Sequence, residues 1–294
     1  MTIKKILKGN RFTNFIIKHI RKVQYEIIPN NIPYVISSIK FNTKKLLRVM
    51  RFDRKSHYER LKTLKNKHKG ERCFIVATGP SLTIEDLEKL RNEVTFSMNS
   101  ICLAFNETDW RPTYYGIQDI GVFNKFEQDI KNLDVDCKFI ADVISKHINI
   151  SDDYFIYPLN LLNHSVFHQK YNTKFSKDVF AEVFDGYTIT YSLIQIAVYM
   201  GFEEIYLLGT DCNYSSNMNH HFKNYDHVDP SFLLAGDRMI SAYKEARKYA
   251  DCNKIKIYNA TRGGMLEVFE RVDFDVLISE RNEDLEQPSI SASV

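Results

Sequence analysis

What the chain does not contain narrows the problem first. Its 294 residues include five cysteines, Cys73, Cys102, Cys137, Cys212 and Cys252, odd in number and without a Cys-x-x-Cys pair. Disulfide frameworks and thiolate zinc sites need paired spacings, so buried free thiols in a reducing compartment are expected and no metal site is assigned. No apolar run approaches the roughly 18 residues of a spanning helix. The N-terminus shows no apolar core followed by a small-residue cleavage site, which predicts a cytoplasmic protein. Acidic residues are scarce at one end. Residues 1–70 hold 19 Lys and Arg against only Glu26, Asp53 and Glu59, whereas residues 71–294 hold 21 basic and 34 acidic side chains. The overall charge of +3 therefore hides two parts that should meet different partners.

The basic part, residues 1–70, places Phe12, Phe15, Ile16 and Ile20 at helical spacing with Lys and Arg around them. Such an amphipathic arm suits an anionic membrane surface, which for a cytoplasmic protein is the inner face. No nucleic-acid motif accompanies it, so no nucleic-acid partner is expected. Pro29, Asn30, Asn31 and Pro33 predict a break between two halves.

From Arg72 onward strands and helices alternate. Cys73–Ala77 reads as a buried strand, turning at Thr78-Gly79-Pro80-Ser81 into a helix with Thr83 as N-cap. Further strands are expected at 94–99, 112–119, 137–142, 204–209 and 254–258. A buried helix is expected at 188–200 and an amphipathic one at 231–250, with a short helix at 265–269. Residues 153–162 are apolar and aromatic without a clear state. This pattern predicts an α/β, Rossmann-like fold: a mostly parallel sheet with helices on both faces, over residues 71–278. The acidic tail, 279–294, is expected to be disordered.

Ligands of such sheets bind beyond the carboxyl ends of the strands. That rule brings Thr78-Gly79-Pro80-Ser81, Asn99, Asp119, Gly209-Thr210-Asp211 and Asn259-Ala260-Thr261 to one rim. The strand-turn-helix at Gly79 is a place for a phosphate, with the amides of Gly79 to Leu82 pointing at it. Asp119 and Asp211 stand where carboxylates meet ribose hydroxyls or Mg²⁺, or simply cap helices. The stretch after Asp211 carries His220, His221, Asp226, His227 and Asp229 with no apolar period, as in a functional loop. A histidine there is a candidate general base. Tyr214 and Tyr225 are candidate donors to a leaving phosphate. Arg262 either meets a phosphate or caps the last helix.

The segments RCFIVATGPSL, NEVTFSMNSI, WRPTYYGIQD, IAVYMGFEEIYLLGTD and IYNATRGGMLEVFERV together resemble the MptE-like family over about Lys69 to Ile278. Its name comes from an archaeal 6-hydroxymethyl-7,8-dihydropterin diphosphokinase, and many bacterial members look like surface-polysaccharide proteins. The same order of motifs is similar to bacterial lipooligosaccharide sialyltransferases, which use CMP-sialic acid without metal. In those enzymes a Gly-Asn-Gly-Pro-Ser turn and an Asn after the second strand bind the nucleotide. The matching positions are Ala77 to Ser81 and Asn99, with Thr78 departing from their Asn. Their Thr-Ser-Gly turn corresponds to Thr188-Ile189-Thr190, and their catalytic histidine falls near His221 and His227 without a clean match. The resemblance implies a transferase for cell-surface polysaccharide with a CMP-sugar donor and a glycan or lipid-linked acceptor. No further cofactor is firmly implied. The alternatives are a pterin diphosphokinase using ATP and Mg²⁺, with Asp119 and Asp211 as ligands, and a non-catalytic nucleotide-binding protein at a membrane. The nucleotide contacts expected are Thr78, Gly79, Pro80, Ser81, Leu82, Asn99, Asp119, Thr188, Thr190, Gly209, Asp211 and Asn259.

Overall fold

The computed structural model describes residue 15 and residues 28–165, 173–214, 221–223 and 232–286. Helix α1 (Ile28–Val49) and a 3-10 segment (His57–Leu64) lead into the sheet. Then come β1 (Arg72–Val76), α2 (Ile84–Lys89), β2 (Thr95–Met98) and β3 (Tyr114–Ile117), followed by α3 (Ile120–Lys125), α4 (Glu127–Asn132) and β4 (Cys137–Ala141). Next are α5 (Asp142–Ser145), β5 (Tyr154–Tyr157), β6 (Leu159–Asn160), β7 (Val183–Phe184) and α6 (Ile189–Met200). The chain closes with β8 (Glu204–Leu208), α7 (Phe232–Asn253), β9 (Lys256–Asn259), β10 (Glu270–Arg271) and α8 (Phe274–Glu286).

Eight strands form one sheet in the order β10-β9-β8-β1-β2-β3-β4-β5, and every pairing in it is parallel. β6 and β7 make a separate parallel pair. The chain walks outward from β1 to β5, then returns beside β1 as β8 and walks the other way. The reversal leaves a crevice at the carboxyl ends of β1 and β8, the place where open parallel sheets bind ligands.

Both faces are covered, which is why the strands read as continuous apolar runs rather than alternating ones. On one face Phe96, Tyr114, Phe139 and Phe155 form an aromatic row, each ring within 6.2 Å of the next. α6 packs on that face; a Cβ on Gly116 of β3 would lie 2.8 Å from Leu193 Cδ2, so the glycine sets how close the helix comes. On the other face Tyr258, Tyr206 and Phe74 stack across β9, β8 and β1, and Phe274 of α8 closes on Phe74. Thr83 caps α2 in a reciprocal box: its hydroxyl accepts from Asp86 N, and its own amide donates to the Asp86 carboxylate.

Several expectations need correction. Residues 57–70 belong to the folded body and not to the arm: Leu61 and Leu64 are buried, His68 N donates to Met200 O, and the His68 ring stacks on Phe202 at 4.5 Å. The density of lysines masked this, because lysine stems and heads reach solvent while the leucines between them turn inward. The proline-rich stretch does not break the chain in two; α1 runs through Pro33. Pro33 removes one donor, to the Pro29 carbonyl, and the turns after it hold the helix. Residues 265–269 are not helical: their backbone is tied to Asp211 and Asn259, with Met265 N donating to Asp211 O and Leu266 O accepting from Asn259 Nδ2. α8 runs on to Glu286, past the expected start of disorder at Ser279, because Phe274 and Ile278 anchor its first turns in the core. Cys252 is exposed, whereas Cys73, Cys137 and Cys212 are buried and all five thiols are free. The Phe12–Ile20 pattern, apart from Phe15, and residues 287–294 lie outside the described residues.

Because Leu61 is buried in the core, Leu61→Ala lowers the unfolding free energy by about 2–4 kcal/mol in urea titrations, whereas Ile39→Ala on the outer side of α1 changes it by less than about 0.5 kcal/mol.

Candidate functional site

The turn after β1 and the end of β8 are locked together. Ala77 N donates to Leu208 O at 2.8 Å, continuing the strand pairing, and Gly79 N donates to Gly209 O at 3.0 Å. Asp211 then reaches back across the crevice. Its Oδ2 accepts from the Ser81 hydroxyl at 2.9 Å and faces the Ser81 amide at 3.4 Å. A Cβ on Gly79 would lie 2.0 Å from that oxygen and 2.4 Å from Gly209 O, so only glycine fits. Gly209 itself has φ +67°, and a Cβ there would strike Ala77 O.

This geometry corrects the expected phosphate cradle. Of the backbone donors from Gly79 to Leu82, Gly79 N serves Gly209 O and Leu82 N serves Gly79 O at 3.2 Å. Pro80 has no N–H, and the Ser81 amide faces Asp211. The anion at this helix start is the chain's own carboxylate. Burial pushes the Asp211 carboxyl above its ordinary value of 3.8, and the bonds from Ser81 only partly offset this.

Beside the lock lies a cavity of about 220 Å³. Thr78, Gly79, Pro80, Asn99, Asp119, Thr188, Thr190, Gly209, Asp211 and His221 all line it, together with Tyr214. Four of the five expected strand ends thus converge. Ser81 and Leu82 stand behind the wall: Ser81 holds Asp211, and Leu82 is buried in the core. Asn259 is not part of the site. It is fully buried, bonding Leu266 O and Thr261 N, and so shapes the turn after β9. Thr261 in turn accepts from Thr210 N at 3.0 Å. Arg262 neither meets the cavity nor caps a helix through its side chain; it bridges Asp86 and Asp275 and ties α2 to α8. His227 and Tyr225 lie outside the described residues.

Within the cavity wall, Asp119 caps α3 by accepting from Val122 N at 2.9 Å. Asn99 sits in the left-handed region at φ +50°, its carbonyl accepting from Tyr115 Oη at 2.7 Å. Asn99, Thr210 and Tyr243 line the cavity, and among the described residues Asn99 Oδ1 and Thr210 Oγ1 are buried without a hydrogen-bond partner. Buried polar atoms without partners are costly unless a polar ligand or water meets them. Tyr243 lies beside Thr188 and Thr190, and burial pushes its hydroxyl well above the ordinary tyrosine value.

The most anion-favouring element here is the start of α6. This helix has 12 residues, is capped by the Thr188 hydroxyl accepting from Thr190 N, and directs its N-terminal dipole toward the cavity wall formed by Tyr187 to Thr190. Arg238 of α7 lies 5.8 Å from the centre of the Tyr187 ring.

Some neighbours of the cavity escaped the sequence reading. Gln118 bonds Asp185, Ser192 and Tyr157, placing its amide on the wall. Asp185, 2 % exposed, holds His164 Nε2 at 2.5 Å and the Tyr187 amide at 3.0 Å. The His164 ring lies 5.2 Å from that of Tyr187, one ring back from the cavity. No periodicity marks Asp185, because β7 before it has only two residues; its one signal was position, a carboxylate just ahead of the buried helix. For Mg²⁺ the fit is poor: Asp211 Oδ2 is committed to Ser81, and among the described residues no three His, Cys, Asp or Glu side chains converge.

The profile of a family described as 6-hydroxymethylpterin diphosphokinase MptE-like matches residues 50–217. Among solved structures, the MAf glycosyltransferase from Magnetospirillum magneticum AMB-1 is similar at 15 % identity and a TM-score of 0.47. That likeness covers 75 % of this chain and 37 % of that one. No curated protein matches.

Two outcomes test the lock. Gly79→Ala destabilises the fold by about 3 kcal/mol in urea unfolding, because the added carbon meets backbone as well as carboxylate. Asp211→Asn follows from the raised carboxyl: the ionised native form carries a cost that the amide lacks. The stability of Asp211→Asn relative to wild type is therefore highest at neutral pH. It falls as the pH drops through the raised native value and levels off below the ordinary 3.8, where the wild-type carboxyl is protonated in both states.

Proposed function

This chain belongs to the MptE-like family, and from that premise we propose that it is a nucleotide-dependent transferase with its donor in the cavity at the β1–β8 crevice. The observation that carries this reading is the convergence of Thr78, Asn99, Asp119, Thr188, Thr190 and Asp211 on one cavity. A nucleotide matches such a wall, its base and ribose pairing with amide and carboxylate side chains and its phosphate oxygens accepting from hydroxyls.

In finer terms the reaction is sugar transfer from a CMP-sugar, sialyltransferase-like, to a glycan or lipid-linked acceptor in cell-surface polysaccharide synthesis. The protein then works in the cytoplasm at the inner membrane face. The nucleoside lies against Asn99 and Asp119. Its phosphate lies at the start of α6, where the helix dipole, the Thr188, Thr190 and Tyr243 hydroxyls and Arg238 favour negative charge. This places the phosphate across the cavity from the glycine turn, whose anion position Asp211 fills. His221 on the wall takes the acceptor proton as the acceptor oxygen bonds the anomeric carbon. The sugar–phosphate bond breaks, and its electron pair leaves with the nucleoside monophosphate.

The family's description favours a second reading, diphosphoryl transfer from ATP to a pterin with Mg²⁺. Calorimetric titration with CMP, UDP, ATP and GDP, each with and without Mg²⁺, separates the two. Metal-independent CMP binding is expected, and Mg²⁺-dependent ATP binding in its place would favour the second. Thr190→Ala and Tyr243→Phe each weaken CMP binding about tenfold while the fold persists. His221→Ala slows CMP release from CMP-sialic acid by about 10²–10⁴-fold and leaves CMP affinity unchanged. Tight nucleotide binding with no turnover in the wild type would instead mark a non-catalytic binding protein.

A further inference from the structure

Helix α1 is docked the wrong way round for a helix that serves the core. The side turned to the body carries Tyr34, Ser38, Phe41, Lys45 and Arg48, and its anchors are polar. Lys45 pairs with Glu182. Arg48, 5 % exposed, donates through Nε to Phe180 O at 2.8 Å and also to Ala181 O, and its guanidinium lies 4.5 Å from the centre of the Tyr58 ring. The opposite side is apolar and open. Ile32, Ile36, Ile39, Leu46 and Met50 recur at helical spacing, with Thr43 between them and Phe52 just beyond, and these large side chains are 51–74 % exposed. After Val49 the chain turns at Arg51, φ +63°, and Phe52 N donates back to Leu47 O, so Phe52 extends the stripe.

We propose that this outward stripe of α1 docks into the surface of an anionic lipid bilayer, with the helix lying in the plane of the interface. Charge selects the occupant. Lys40, Lys44 and Arg51 are exposed along one flank of the stripe. Residues 28–56 hold seven basic side chains and one acidic, Asp53. A second copy of the helix laid on the stripe would set these like charges against each other. Residues 1–27 carry seven basic side chains and one acidic, so they meet the same repulsion. Anionic headgroups satisfy the flank while the acyl boundary takes the isoleucines. Among the described residues no helix is long and apolar enough to cross a membrane, which leaves an in-plane helix.

The docking also has an address. α1 packs on the Leu162–Ser165 turn and is bonded to residues 180–182, the segment that leads through Asp185 to Tyr187 and Thr188 on the cavity wall. A helix seated on lipid thus holds the segment that forms one side of the cavity. The inference stands independently of which transfer reaction occurs there.

The test is sedimentation of the full chain with vesicles of phosphatidylcholine alone and with about 30 % phosphatidylglycerol, at low and high salt. Binding to the anionic vesicles that weakens with salt is expected. Ile36→Glu with Ile39→Glu, on the exposed side and so without effect on the thermal midpoint, should lower binding at least tenfold. Lys40→Glu with Lys44→Glu should lower anionic-vesicle binding about tenfold, while the charge-matched Lys244→Glu with Lys248→Glu on α7 leaves it unchanged. Two results overturn the proposal. One is absent wild-type binding, or binding untouched by the stripe variant. The other is a wild-type dimer in analytical ultracentrifugation that the stripe variant converts to monomer, making the stripe an interface between chains.

Discussion

The structure depends on one contact between two turns: the glycine after β1 lying against the carbonyl of Gly209 after β8, with Asp211 closing over it onto Ser81. β1 and β8 are far apart in sequence, and their register alone aligns the strands. The lock aligns what comes after the strands. It brings Thr78 and Gly79 to the same wall as Gly209 and Asp211, and so decides that the crevice opens beside the start of α6. A second interaction holds the far side of Asp211: Gly264, φ +73°, approaches so closely that a Cβ would lie 2.6 Å from Asp211 O, and Met265 N bonds that same oxygen. Asp211 is thus clamped from two directions, which explains how a partly buried carboxylate keeps its place despite the cost of desolvation.

That clamp redistributes charge in the site. A glycine turn leading to a helix usually invites an external anion, since its amides are unsatisfied. Here the invitation is answered internally, and α2 is in any case a short helix of 6 residues. The remaining positive ends belong to the longer α6, whose first residues line the cavity. The aromatic and aliphatic core around α6 keeps the local dielectric low, so a modest dipole there counts for more than it would in water. The polar chain Gln118–Asp185–His164 braces the same corner, fixing Tyr187 in its left-handed conformation.

Much of the fold was legible because the signals were local. Short, mostly apolar runs marked β1, β4 and β8, Thr83 marked a cap, and Gly201 at φ +95° ended α6 as a C-terminal glycine should. What stayed hidden was short or nonlocal. β6, β7 and β10 have two residues each, too few for a period to register, and β10 exists because Val272 N and Arg271 find partners on the β9 turn. Residues 57–70 looked like a continuation of the basic arm because composition averages over the inward Leu61 and Leu64. Asn259 stood at a strand end like Asn99, yet one bonds its own loop and the other faces a cavity. Nothing in the residue type distinguishes them.

The chain by itself determined the α/β order, the parallel sheet and the rim on which polar strand ends meet, since each follows from hydrophobic period, turn chemistry and the handedness of crossovers. It also determined the charge asymmetry that sets α1 apart. Only the tertiary structure decided which polar groups are spent on the protein and which remain for a ligand. Hydrogen-bond partners are assigned in space, and a carboxylate 130 residues away in sequence took the turn that the local pattern offered to a phosphate.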